Sequence, residues 1–178
     1  LAERLRSSRP APERAAAALG LAAYVFRSYD ARTALLERLG DGREDASVRR
    51  ASAKSLSWGG HDGRVPEALL ALAQDSREDE ALRSLAYKAM YRMGHRSEVA
   101  EAFEDAVGSG REPLELRKGA AWGAFLTARR AEVRAALLAA FNDRGEDEGL
   151  RLEALKSLFT SLNLADVRRL FLAAASDA

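Results

Sequence analysis

Apolar positions in this chain recur with helical spacing, in stretches of ten to twelve residues, and those stretches come in pairs. Residues 47–58 place Val48, Ala51, Ser52, Ser55 and Leu56 on one face at i, i+3, i+4, i+7 spacing, which predicts a helix with one buried stripe. Residues 65–74 do the same with Val65, Ala68, Leu69, Leu72 and Ala73. Gly59 and Gly60 are expected to end the first of these helices as glycine caps, and Gly94 to do so one unit later. Asp75-Ser76, Gly108-Ser109-Gly110 and Asn142-Asp143 read as turns that close the second helices. Pro66 and Pro113 fall near predicted first turns, where a missing N–H is harmless. Nothing reads as a strand.

The pairs repeat every 34 residues without gaps. Ala31, Val65, Val99, Val133 and Val167 share one register, and Leu35, Leu69, Phe103, Leu137 and Phe171 share another. Arg49, Arg83, Arg117 and Arg151 form a column, each preceded directly by Val48, Leu82, Leu116 or Leu150. Glu44, Glu78, Glu112 and Glu146 form a column just upstream of it. Ala18, Ser52, Ala86, Ala120 and Ala154 are all small, as close helix contacts require. A two-helix unit of this size cannot bury its apolar stripe alone, so neighbouring units must stack into one core. The expected architecture is all-α: a right-handed α-α superhelix of about five two-helix repeats, near residues 11–44, 45–78, 79–112, 113–146 and 147–178, forming one domain over 1–178.

The ends show the same register. LAERL at 1–5 matches LLERL at 35–39, so the chain is expected to begin inside a second helix. Ser176-Asp177 falls where Asn142-Asp143 stands, at the close of a second helix. The expectation is a segment excised from a longer protein, so the absence of a secretory signal assigns no compartment.

Composition narrows the function classes. Apolar residues are 47% of the chain but aromatics only 7%, which suits close helix packing through small side chains. Lys+Arg 28 against Asp+Glu 27 leaves a net charge of +1, against a dedicated nucleic-acid or membrane-surface binder. No apolar run approaches the roughly 20 residues that cross a bilayer. With no Cys, disulfides, thiolate metal sites and cysteine nucleophiles are excluded.

DASVRRASAKSL at 45–56, followed by VPEALLAL at 65–72, resembles bacterial HEAT-like repeats of the phycobilin-lyase type, and the resemblance covers nearly the whole chain. The tetratricopeptide repeat shares the period, but its Trp–Leu–Gly–Tyr signature and terminal proline are missing here. In HEAT arrays an aspartate and an arginine of each unit commonly form a ladder. The resemblance matches Asp45, Asp79 and Asp147 with Arg49, Arg83, Arg117 and Arg151, while Pro113 interrupts the aspartate column. These arginines are expected to be structural, capping loop carbonyls and pairing with acids between units.

No catalytic constellation is found, and no catalytic, cofactor or metal residues are assigned. His61 and His95 stand 34 residues apart in equivalent loops, where Arg129 and Asn163 follow, so they read as polar loop residues rather than a metal pair. Some HEAT-like proteins are enzymes, but the His-Glu dipeptides of the di-iron hydroxylases are absent, and nothing marks a chromophore pocket. In HEAT arrays the second helices usually line the concave side. The resemblance therefore implies an inner groove carrying Glu67, Glu101, Glu104 and Asp105 centrally and Arg134, Arg168 and Arg169 towards one end. Such polarity could orient a partner. Trp122, whose equivalents are Lys54, Lys88 and Lys156, is expected to face solvent as a candidate anchor, whereas Trp58 is assigned to packing. The expected function is a non-enzymatic scaffold holding another protein, or another part of its own chain, with no cofactor, small-molecule substrate or membrane. A nucleic-acid-binding relative of the HEAT-like DNA glycosylases is the alternative, and a phycobilin-lyase-like enzyme a further one.

Overall fold

The computed structural model describes residues 1–176, with side chains through Leu172. Asp177, on which the expected close of the last helix rests, lies outside the described residues. Among the described residues there are eleven α-helices and no strand. The chain divides into two compact units, Leu1–Met93 and Gly94–Ala178, and the division falls in a turn inside the third 34-residue repeat.

The first unit holds α1 (Ala2–Arg6), α2 (Ala11–Leu21), α3 (Tyr29–Gly40), α4 (Ala46–Leu56), α5 (Arg64–Gln74) and α6 (Glu80–Ala89). First helices α2, α4 and α6 pack in succession, as do second helices α1, α3 and α5. Each second helix also packs on the following first helix, α1 on α2, α3 on α4 and α5 on α6. The second unit repeats this order with α7 (Ser97–Gly108), α8 (Leu114–Gly123), α9 (Ala131–Asn142), α10 (Glu148–Leu158) and α11 (Ala165–Ser176). There α7 packs on α8 and α9, while α10 packs on α8 and α9.

The in-register columns are the core. Val65, Val99, Val133 and Val167 are buried, as are Leu35, Leu69, Phe103 and Leu137. Ala18, Ser52, Ala86, Ala120 and Ala154 have no exposed surface at all. Their small size lets first helices approach until one hydroxyl spans the gap. Ser55 Oγ donates to the Ala18 carbonyl across α4 and α2 (2.9 Å), and Ser157 Oγ to the Ala121 carbonyl across α10 and α8 (2.6 Å).

Helix ends follow the repeat equally closely. Asp45, Asp79 and Asp147 are N-caps, accepting from the amides of Ser47, Leu82 and Leu150 at 2.8–3.0 Å. Second helices end on Asp41, Asp75, Ser109 and Asp143, all extended, each of whose side chains accepts the amide two residues on.

The glycines depart from expectation. No glycine among the described residues has a positive φ, so Gly59, Gly60 and Gly94 are not left-handed caps. They are close-approach sites instead. A Cβ on Gly94 would lie 1.7 Å from Thr127 Oγ1, and one on Gly60 would lie 2.8 Å from Met93 Cγ. Thr127 and Met93 are themselves 34 residues apart, so both contacts are one stacking interaction between successive turns.

Candidate functional site

The arginine column is a fastening device. Arg49 donates from Nε to the Leu39 carbonyl at the end of α3 (3.1 Å) and grips Glu78 with both terminal nitrogens (2.9 and 2.5 Å). Arg83 Nε donates to the Ala73 carbonyl at 2.9 Å, and Arg151 Nε to that of Phe141 at 3.0 Å. Arg117 reaches the Val107 carbonyl (3.3 Å) and Glu146 (2.5 Å). The arginine thus covers a carbonyl that a helix C-terminus leaves open, ten residues back. Its acid is 29 residues on.

That acid belongs to the glutamate column and not, as the resemblance implied, to the aspartates, which serve as caps. Glu78 and Glu146 also accept the amide of the residue that follows each, at 3.0 and 3.1 Å. The arginine hydrogen bond holds each carboxyl below the ordinary glutamate value, against a smaller upward push from burial. In the first repeat Ala15 occupies the arginine position, and Arg14 and Arg38 reach Glu44 instead (2.5 and 3.3 Å). Burial pushes Glu44 up, but these partners prevail and its pKa is lowered.

The second-helix faces hold the residues singled out for partner binding. In the first unit Glu67 is exposed on α5. Nearby runs an open groove of about 700 Å³ between α3 and α5, floored by Leu36, Ala68, Ala71 and Leu72. In the second unit Glu101 and Glu104 of α7 line a depression of about 340 Å³ with Arg130, which precedes α9, and Glu132 of α9. Asp105, one turn beyond Glu101, is exposed. Arg130 donates to the Gly94 carbonyl (3.3 Å) and Ser97 Oγ (3.4 Å), and among the described residues neither glutamate makes an ion pair. Arg134 is not an open cation, because its guanidinium pairs with Asp166 (2.8 Å) and donates to the Arg129 carbonyl (2.9 Å). Arg168 and Arg169 are exposed, and Arg169 Nε turns back to the Ala165 carbonyl (3.3 Å). Trp122 lies on α8, a first helix, and is 42% exposed. Trp58 is half exposed as well, with Arg92 laid over its ring.

One charged cluster escaped the sequence reading. Asp62 takes hydrogen bonds from Arg64 (2.7 Å) and Arg32 (2.8 Å), while Arg32 also caps the Val25 carbonyl (2.8 Å). Both guanidiniums, Arg64 foremost, hold the Asp62 carboxyl far below the usual carboxylate range. Arg32 and Arg134 share the 34-residue register, so the signal was present as an arginine column broken by Pro66 and Ala100. Among the described residues no group of three or more His, Asp or Glu gathers as a metal site, and no helix is long and apolar enough to cross a membrane.

Paired helices in a 34-residue register, with stacked small columns and an arginine fastening each unit, define an α-solenoid repeat protein. The family model of HEAT repeats matches residues 1–89, half of the chain, and the protein belongs to that family. No curated protein matches the chain.

Proposed function

We propose that this protein is a non-catalytic scaffold whose second-helix faces hold a basic segment of another protein, or of another part of its own chain. The observation that carries this is on α7. Glu101, Glu104 and Asp105 sit within one turn of each other, and among the described residues none makes an ion pair. Like charges at i, i+4 cost a helix a few tenths of a kcal/mol. Other carboxylates of the chain, Glu44, Asp62, Glu78 and Glu146, are engaged at short range by arginines. A like-charged turn left open fits a surface that receives its counter-charges from a partner. Glu67 extends the same chemistry to the first unit. HEAT repeats are commonly interaction scaffolds, and positioning needs no cofactor.

Three carboxylates would repel a phosphate backbone, so this face does not favour nucleic acid. The test is affinity capture from the source lysate with the native chain and with a Glu67→Lys/Glu101→Lys/Asp105→Lys version, followed by direct binding of whatever protein is retained. A basic protein that binds the native chain in pure form and loses affinity for the reversed one supports the scaffold. Retention of the same proteins by both, or of nucleic acid, overturns the acidic-face reading.

A further inference from the structure

The turns that join first to second helices in the Leu1–Met93 unit carry a surface that neither the core nor the acidic face uses. Tyr24, Phe26, Tyr29 and Trp58 are 55, 67, 65 and 50% exposed there. Each of the last three has one cationic or imidazole neighbour from the next repeat. Arg92 lies 4.5 Å from the Trp58 ring centre, Arg64 lies 4.4 Å from that of Tyr29, and the His61 ring is 4.8 Å from Phe26. Tyr24, Trp58 and Arg92 share one 34-residue column, and the last two of them stack.

The charge of this edge has one sign to offer. Among residues 22–30, 57–64 and 90–93 the acids are Asp30, which pairs with Arg6, and Asp62, which Arg32 and Arg64 occupy. Among the described residues Arg27 and Arg92 make no ion pair. Arg92 stacks on Trp58, lies 5.6 Å from the Tyr91 ring and donates to Tyr91 Oη (3.2 Å). A guanidinium held over an indole at this distance is partly ordered before any partner arrives. It loses little further freedom when it takes a carboxylate through two parallel hydrogen bonds. The turns at the other ends of these helices, 41–45 and 75–80, are by contrast rich in acids: Asp41, Glu44, Asp45, Asp75, Glu78, Asp79 and Glu80 against Arg43 and Arg77.

We infer that this aromatic–arginine edge is a second docking surface, which takes an acidic peptide segment whose carboxylates are separated by apolar side chains. Arg92 and Arg27 receive carboxylates, and the exposed sides of Trp58, Tyr24 and Phe26 cover the apolar side chains between them. Exposed aromatics beside arginine are the residue types that dominate interface energetics. A peptide fits better than single-stranded nucleic acid, because Arg92 and Arg64 already lie over the Trp58 and Tyr29 rings, His61 packs tilted against Phe26, and among the described residues no continuous cationic track follows them. The two surfaces would then select partners of opposite charge.

The experiment uses the full chain carrying Trp122→Phe, so that Trp58 is the remaining tryptophan and its emission reports on this edge. The probes are a short peptide in which glutamates alternate with leucines, its glutamine counterpart, and an oligothymidylate. The expected result is a saturable change in Trp58 emission with the glutamate peptide. Arg92→Gln should weaken it about tenfold, the loss of one charge-assisted contact, and Arg92→Lys should restore it only in part. Glu101→Gln/Asp105→Gln, which would weaken a basic partner at α7, should leave it unchanged. Arg92 and Arg27 are surface residues, so their variants keep the fold, and Arg27→Gln provides the second reading. No response to the glutamate peptide, equal affinity of Arg92→Gln or of the glutamine peptide, or saturable binding of oligothymidylate in its place would each overturn the proposal.

Discussion

Arg49 and Glu78 are joined by two parallel hydrogen bonds, 2.9 and 2.5 Å long, across the length of the second repeat. The same guanidinium covers the last carbonyls of the repeat before through Leu39. One side chain therefore ties the end of α3, the body of α4 and the turn after α5 into a single unit. Arg49 is buried, so its removal strands a carboxylate and a carbonyl together. Arg49→Ala should cost about 3 kcal/mol, as breaking a buried pair does. Arg49→Lys should recover only part of it, because an ammonium cannot hold both oxygens and the carbonyl at once. Urea denaturation of the three proteins checks this, and equal midpoints would show that the column does not fasten the repeats.

Acid should loosen the stack through the same glutamates. Glu78 and Glu146 are held below their ordinary value of 4.5 by the arginines in the folded state. A carboxyl with a lowered folded pKa stabilises the fold fully above its unfolded pKa, and that contribution is lost as pH falls through the folded value. The melting temperature should therefore decline as pH drops below about 4.5, in the window bounded above by the unfolded glutamate pKa. Glu78→Gln/Glu146→Gln should start from a lower midpoint at neutral pH and show a shallower acid decline. An unaltered slope would assign the acid sensitivity to other carboxylates, such as Asp62.

Two glycines separate close approach from simple chain flexibility. Gly94→Ala drives a methyl into Thr127 and should cost about 1–3 kcal/mol by overpacking. Gly108, the last residue of α7, has nothing within 4 Å of its absent Cβ. Gly108→Ala should be neutral or stabilise by up to about 1 kcal/mol through the unfolded chain. Thermal melts of both variants test the distinction.

A leucine at the small-residue column meets the same obstacle inside the core. Ala120 has no exposed surface, and Ala120→Leu should push α8 away from its neighbours at a cost of about 1–3 kcal/mol. Ala131→Leu, at the exposed start of α9, is the control and should change stability little. Equal effects from the two would remove the packing argument for the column.

The acidic turn on α7 makes an opposite prediction. Glu101→Gln relieves like-charge repulsion and should stabilise the helix by about 0.2–0.5 kcal/mol. It should weaken binding of a basic partner nonetheless. A variant that is no less stable yet binds less separates function from folding, whereas loss of stability would make Glu101 structural.

Much of this was legible because a repeat multiplies each signal. Val65, Val99, Val133 and Val167 named the buried stripe four times over, and the arginine column announced itself as structural by recurring. Partner choice was less legible. Asp79 and Glu78 are adjacent acids at almost the same distance along the chain from Arg49, and sequence spacing does not say which one bends back to accept it. The Asp79 carboxylate is taken by its own helix amide, and Glu78, one bond longer and outside the helix, is the acid that reaches. The Asp62 cluster was missed because Pro66 and Ala100 interrupt its arginine column.

The sequence by itself determined the helices, their pairing and the buried columns, because period and side-chain size act locally and recur. Tertiary structure alone decided how charges and glycines are used. Arg134 reads as an open cation along its helix, and only the approach of Asp166 from the following turn makes it a paired one. Gly94 reads as a helix stop, and only the arrival of Thr127 from the next repeat shows that the absent Cβ, not the backbone angle, is what the position requires. Contacts between residues some 32 to 36 apart depend on how closely two turns stack, and that distance is set by the packed core rather than by either residue.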